Sequence, residues 1–83
     1  MATSSTFHLT ITRVDGPVYS GEVKSLVIPG IEGEMTILPH HTAIISPLRI
    51  GTITVTKEDG STEKFKVTSG TLEVSNNQAT VLL

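Results

Sequence analysis

The chain has no cysteine and no tryptophan, and only two phenylalanines and one tyrosine. Without thiols, neither a disulfide nor a thiolate–metal staple can supplement the core, an absence that suits a reducing compartment. So few aromatic rings leave no stacking platform for single-stranded nucleic acid. Positive charge is scarce as well. Six Lys and Arg against eight Asp and Glu give a net charge of −2, with the signs interspersed, which argues against a phosphate-binding surface. Long apolar runs are missing. The longest stretch without a charge, Met35–Leu48, is interrupted by two prolines and two histidines, so it is no transmembrane span. Met1–Ser5 lacks the apolar segment of a secretory signal. The expectation is a soluble chain that can dock on a membrane complex. At 83 residues, a single domain over 1–83 is expected, with 1–5 flexible.

What the chain does have is alternation. Phe7-His8-Leu9-Thr10-Ile11-Thr12 is apolar at every second residue, the period of a half-buried strand. Val18-Tyr19-Ser20-Gly21 reads as a short strand or edge piece. Glu22–Ile28 alternates and then places Leu26, Val27 and Ile28 in a row, which calls for a bulge or burial on both faces. Ile53 and Val55, then Phe65 and Val67, face inward on two strands joined by a loop with an Asp59-Gly60 signal. Thr71–Ser75 and Ala79–Leu83 follow, joined at Asn76-Asn77, and Asn tolerates the positive φ of a tight hairpin. No window carries helical apolar spacing over three turns, and turn signals recur every 8–12 residues or so, the pattern of an all-β sandwich or barrel. One stretch breaks this regularity. Pro39 lacks an N–H for a ladder, so a strand through Met35 and Ile37 runs into a corner at Pro39-His40-His41-Thr42, with Glu34 nearby.

Chemistry at that corner is constrained. A metal held by Glu34, His40 and His41 is disfavoured, because neighbours in an extended segment point to opposite sides, and His8 is remote in sequence. Acids sit mostly at turns (Asp15, Glu32, Glu58, Asp59), not in a pair suited to acid–base catalysis. Gly30, Gly33 and Gly51 match neither phosphate-loop spacing. Lys24 raises a carrier domain of the lipoyl or biotinyl type, but those domains hold their lysine at a hairpin tip and Lys24 reads as mid-strand. A docking module remains the favoured class, above a purely structural domain and an enzyme.

The ordered series Gly33-Glu34, Pro39, His41, Pro47 and Gly51 resembles the N-terminal β-domain of the epsilon subunit of F-type ATP synthase, called delta in mitochondria. Tyr19-Ser20-Gly21 precedes it as the family's aromatic followed by Ser/Gly. Ser69-Gly70-Thr71-Leu72-Glu73-Val74 follows, similar to the family's Gly-Gly-x-Leu-Glu-Val. The resemblance runs from Phe7 to Leu83 without insertion or deletion. It implies a ten-stranded β-sandwich, a flattened barrel of two mostly antiparallel sheets, at the foot of the central rotor. It implies a non-catalytic role in ATP synthesis and proton transport, without a cofactor. One edge would meet the gamma subunit and the bottom would meet the polar loops of the c-ring. Attachment would be peripheral, through the complex, at the cytoplasmic face of the inner (plasma) membrane. By position, Glu34 and His41 fall on the corner facing the c-ring and gamma, Thr42 and Ser46 lie beside them, and Arg13 falls on the gamma-facing side.

Three departures set further expectations. His40 stands where family members often carry glycine, a residue that supplies positive φ, so the corner is expected to be built differently. Ser69 replaces the first of two family glycines and adds a side chain where a partner would approach. The family's two-helix C-terminal domain, which binds ATP in some species and can inhibit hydrolysis, has no counterpart in these residues, so no such inhibition is expected of this polypeptide.

Overall fold

The structure, a computed structural model, describes residues 5–83; the expectation of a flexible start falls, for residues 1–4, outside them. The described residues form eight strands and no helix: β1 (Phe7–Arg13), β2 (Gly16–Gly30), β3 (Gly33–Ile37), β4 (Ile44–Leu48), β5 (Gly51–Lys57), β6 (Thr62–Val67), β7 (Gly70–Ser75) and β8 (Gln78–Leu82). The all-β class is as expected; the count is eight where ten were expected. One reason is β2. The anticipated Val18–Gly21 piece and the Glu22–Ile28 strand are one continuous strand of 15 residues. Drawn straight, it would span about 50 Å, more than the 41 Å of the molecule's longest axis, so it has to twist and coil.

That coil joins the two layers. The first half of β2 pairs with β1, from Phe7↔Val23 to Arg13↔Gly16. Its second half pairs with β3, from Leu26↔Ile37 to Gly30↔Gly33, and with β5. A register shift between Val23 and Ser25 marks the bulge that the apolar triplet called for, placed just before Leu26. Leu26 and Ile28 are fully buried, and Val27, on the other face, is half-buried. The strand order is β1-β8-β7-β4-β2-β5-β6, with β3 on β2 and an added β1–β2 pairing. The strip therefore closes on itself: β1, β8, β7, β4 and β2 form a ring, a flattened barrel in one hydrogen-bonded sheet instead of two separate ones. The β1–β8 pair is parallel; the other pairs are antiparallel.

Inward residues of alternate positions fill the barrel. Leu9, Ile11, Val23, Ile53, Val55, Leu72 and Val81 are fully buried in one cluster, each large aliphatic side chain contributing about 1.5–3 kcal/mol of burial. Among the described residues no buried side-chain polar atom lacks a partner. The Asn76-Asn77 turn has φ of 50° and 59°, the left-handed pair that a two-residue hairpin requires. At the β5–β6 turn, Asp59 Oδ1 accepts from the Ser61 hydroxyl at 2.6 Å and the Ser61 N–H at 2.9 Å. These bonds hold the Asp59 carboxyl below the usual carboxylate range.

Gly70 explains the Ser69-Gly70 break. Its φ is +151°, and a Cβ there would run into the Leu82 carbonyl oxygen. The close backbone approach is thus to this chain's own β8, not to a partner. Gly70→Ala is expected to destabilise the fold by about 1–3 kcal/mol, seen as a lower urea midpoint with an unchanged denaturant slope.

Candidate functional site

The β2–β3 hairpin carries the strongest surface feature. Gly30 pairs with Gly33 and Pro29 with Glu34, leaving Ile31-Glu32 as the turn. A Cβ on Gly30 would meet Met35 Cε at 2.8 Å and the Gly33 carbonyl oxygen at 2.9 Å, so the hairpin closes only on glycine. Two backbone bonds strap it to the chain's own 47–49 segment: Ile31 N–H donates to the Pro47 carbonyl at 2.9 Å, and Arg49 N–H donates to the Pro29 carbonyl at 3.0 Å. The turn is held rigidly even though its side chains face outward.

Around this hairpin lies a groove of about 400 Å³ lined by Gly30–Met35 and by Ile45, Ser46 and Pro47. A second groove of about 410 Å³ includes Pro29, Glu34, Arg49, Ile50 and Lys64. Glu34 borders both. Its carboxylate is exposed among apolar side chains that are themselves out in solvent: Ile31 is 52%, Ile45 73% and Ile50 74% exposed. An exposed carboxylate on a strapped hairpin, sharing its grooves with exposed isoleucines, is the composition of a docking surface.

The sequence pointed to Glu34 and Ser46, and the structure brings these two onto one groove. It does not bring His40 and His41 to them. β3 runs away from its hairpin, so about 15 Å of extended chain separates Glu34 from Pro39; the expected meeting of carboxylate and imidazoles at one corner is corrected on that ground. His41 and Thr42 occupy the β3–β4 loop, where His41 Nδ1–H donates to the Thr42 carbonyl at 2.7 Å. Arg13 ends β1 in an exposed position beside Val14, which is fully exposed, and it lines none of these grooves. Among the described residues no three His, Asp or Glu side chains converge as metal ligands. Lys24 is exposed within β2, at the bulge and away from any hairpin tip.

His40 overturns one expectation. It retains the left-handed backbone that glycine would supply, with φ +64°. Its N–H donates to Asn77 Oδ1 at 2.7 Å, and Asn77 Nδ2 donates to the Thr6 carbonyl at 2.9 Å. One side-chain amide thereby ties the corner to the start of β1 and offsets the cost of a non-glycine residue.

Sequence reasoning passed over Ile31, Ile45 and Ile50. A signal existed for Ile45: Ile44 and Ile45 are adjacent in an extended segment, so one of them must point away from the core. Ile31 offered another, an apolar residue inside a two-residue turn. The resolved shifts in acidity lie elsewhere. Glu63 accepts a 2.8 Å bond from Lys57 Nζ and raises the Lys57 pKa.

Comparison with known proteins gives a consistent set of likenesses. Residues 6–83 match the family described as ATP synthase, Delta/Epsilon chain, beta-sandwich domain. The chain is 40% identical over 78 residues to the ATP synthase epsilon chain of Bordetella avium and 40% identical over 78 residues to that of Nitratiruptor sp.. Each match covers 94% of this chain but 55% and 60% of the relative, so the chain spans a little over half the length of these curated relatives. Among solved structures, a chain of the Euglena gracilis mitochondrial ATP synthase (OSCP/F1/c-ring, rotational state 1) superposes with a TM-score of 0.89 at 24% identity, covering 99% of this chain and 52% of that one. A chain of the Tetrahymena thermophila mitochondrial ATP synthase central stalk/c-ring superposes with a TM-score of 0.78 at 14% identity, covering 90% and 60%. At these identities the likeness is one of fold.

The corner itself can be tested. His40→Gly removes the cost of a side chain at positive φ and is expected to leave stability unchanged or raise it by up to about 1 kcal/mol, whereas His40→Val, β-branched, should lower it by more than about 1 kcal/mol. Paired urea titrations of the two variants measure both.

Proposed function

We propose, because the chain belongs to the family of ATP synthase delta/epsilon chain β-sandwich domains, that it acts as a central-stalk rotor element that itself catalyses no step of ATP synthesis. In this reading the hairpin rim seats on the polar loops of the c-ring, and another edge, at Arg13, seats on the gamma subunit. The observation that carries the proposal is Glu34: an exposed carboxylate on a hairpin strapped by two backbone bonds and surrounded by exposed Ile31, Ile45 and Ile50. A load-transmitting contact needs both properties, a surface that a partner can grip and a backbone that does not yield under the grip.

Ser46 shares the groove with Glu34 and would contribute a hydroxyl to the same contact. His41 and Thr42, on the adjoining loop, would extend it. Because His41 Nδ1–H is committed to the Thr42 carbonyl, Nε2 is the acceptor in the neutral ring and can take a donor from a partner loop. The exposed Arg13 offers a guanidinium, a side chain enriched at interface hot spots. Attachment to the membrane would be through the complex, at the cytoplasmic face of the inner (plasma) membrane; no helix among the described residues is long and apolar enough to cross one.

Mixing the chain with purified gamma is expected to give a complex that survives gel filtration; two folded proteins that elute apart would overturn the gamma contact. For the rim, Glu34→Ala should weaken binding to a detergent-purified c-ring carrying gamma by about five- to tenfold. It should change stability by less than about 0.5 kcal/mol, as exposed substitutions do. A large fall in melting temperature, with binding intact, would make Glu34 structural instead.

A further inference from the structure

Outside the rim, four polar side chains form a defined chain of hydrogen bonds at the β1–β2 ribbon, three on its outer face and the fourth, Thr6, buried just before β1. His8 lies directly opposite Glu22, and Ser20 lies opposite Thr10, one alternate position along. Period two puts His8, Ser20 and Glu22 on the solvent side, and the diagonal neighbour at two residues is within side-chain reach. His8 Nδ1 is 3.1 Å from Glu22 Oε2, His8 Nε2 is 3.2 Å from Ser20 Oγ, and the Thr6 hydroxyl donates to Glu22 Oε1 at 3.0 Å.

In the neutral ring one tautomer fits these contacts. An ionised Glu22 can only accept, so Nδ1 of a neutral His8 carries the hydrogen and Nε2 keeps its lone pair. The Ser20 hydroxyl then donates to Nε2. Nucleophile, base and orienting carboxylate stand in the order that activates a serine, and Thr6 holds the carboxylate from behind. Ser20 itself is exposed, so an electrophile can reach Oγ. The same contacts would also arise as a simple cross-strand ladder that fixes register, and the two readings differ in reactivity.

We propose that Ser20 is an acyl-acceptor site, activated by His8 and oriented through Glu22, for acyl donors with a good leaving group such as activated esters and acyl phosphates. Ser20 Oγ attacks the acyl carbon, forming the Oγ–C bond, while its proton passes to His8 Nε2. The bond from the acyl carbon to the leaving group breaks and that group departs with the electron pair; His8 returns the proton to it. The product is an O-acylserine and the protonated leaving group, with no oxidant or reductant. Activation rests on the base, whose typical contribution is about 10²–10⁴-fold.

The test uses the whole chain and p-nitrophenyl acetate, following p-nitrophenolate release and mapping the acetyl group by peptide mass spectrometry. Acetylation is expected at Ser20 ahead of the other serines and to vanish there in Ser20→Ala. Its rate should fall about 100-fold in His8→Asn and about tenfold in Glu22→Gln, with far-UV spectra unchanged, since all three positions are on the strand surface. The proposal is overturned if acetyl groups appear only on lysines and the N-terminus. It is equally overturned if Ser20 reacts no faster than other exposed serines, or at the same rate in folded His8→Asn.

Discussion

β2 is the constraint on which the rest of the structure depends. A strand of 15 residues cannot lie flat in a body this short, so it coils, and in coiling it serves both layers of the barrel. Its first half faces β1 and its second half faces β3 and β5. The ring of β1, β8, β7, β4 and β2 closes on that strand, near Gly16 on one side and at Gly30 on the other. The closure at Gly30 is a single register pair with Leu48, made by the two flanking bonds, from the Ile31 N–H to the Pro47 carbonyl and from the Arg49 N–H to the Pro29 carbonyl. The core follows from the same strand, because Val23, Leu26 and Ile28 place three fully buried side chains along its length.

The rim is a consequence of how that closure is made. Where β2 ends, the chain reverses tightly at Gly30–Gly33, and two backbone bonds pin the hairpin to the 47–49 segment. Its turn residues are then forced outward, which is why Ile31 stands in solvent beside Glu34. Ile45, on β4, is exposed because its neighbour Ile44 packs against the core and the alternation leaves it no inward position. Apolar exposure at this rim is therefore a product of geometry. Elsewhere Val14, Leu38 and Leu82 are exposed as separate apolar residues, and His8, Ser20 and Glu22 form a polar chain on a separate face.

Strand identity was readable from residues wherever one face was buried and the other wet. Phe7, Leu9 and Ile11 announce β1, and Asn76-Asn77 announces the β7–β8 hairpin down to its positive φ. The bulge before Leu26 was legible from three apolar residues in a row. Pairing between distant strands was not. Nothing local reveals that β1 lies parallel to β8, or that Asn77 reaches His40, because those contacts are decided by ring closure. For the same reason Glu34 and Ser46 were found together while His41 was wrongly drawn to them: a loop seen in sequence as one corner has its ends at opposite ends of β3. The His8–Glu22 pairing was hidden by sequence separation and appears only once β1 and β2 are in register.

The central claim is that the strapped hairpin, with Glu34 on its β3 arm, is the surface through which this chain is gripped. Amide hydrogen exchange of the chain alone and in complex with a purified c-ring and gamma tests it directly. The account predicts new protection concentrated over 29–35 and 43–50, and at the Arg13 edge where gamma would seat, with the β5–β6 turn over 58–61 unchanged. Protection confined to β5 and β6, or a bound chain whose hairpin amides exchange as in the free protein, would contradict it.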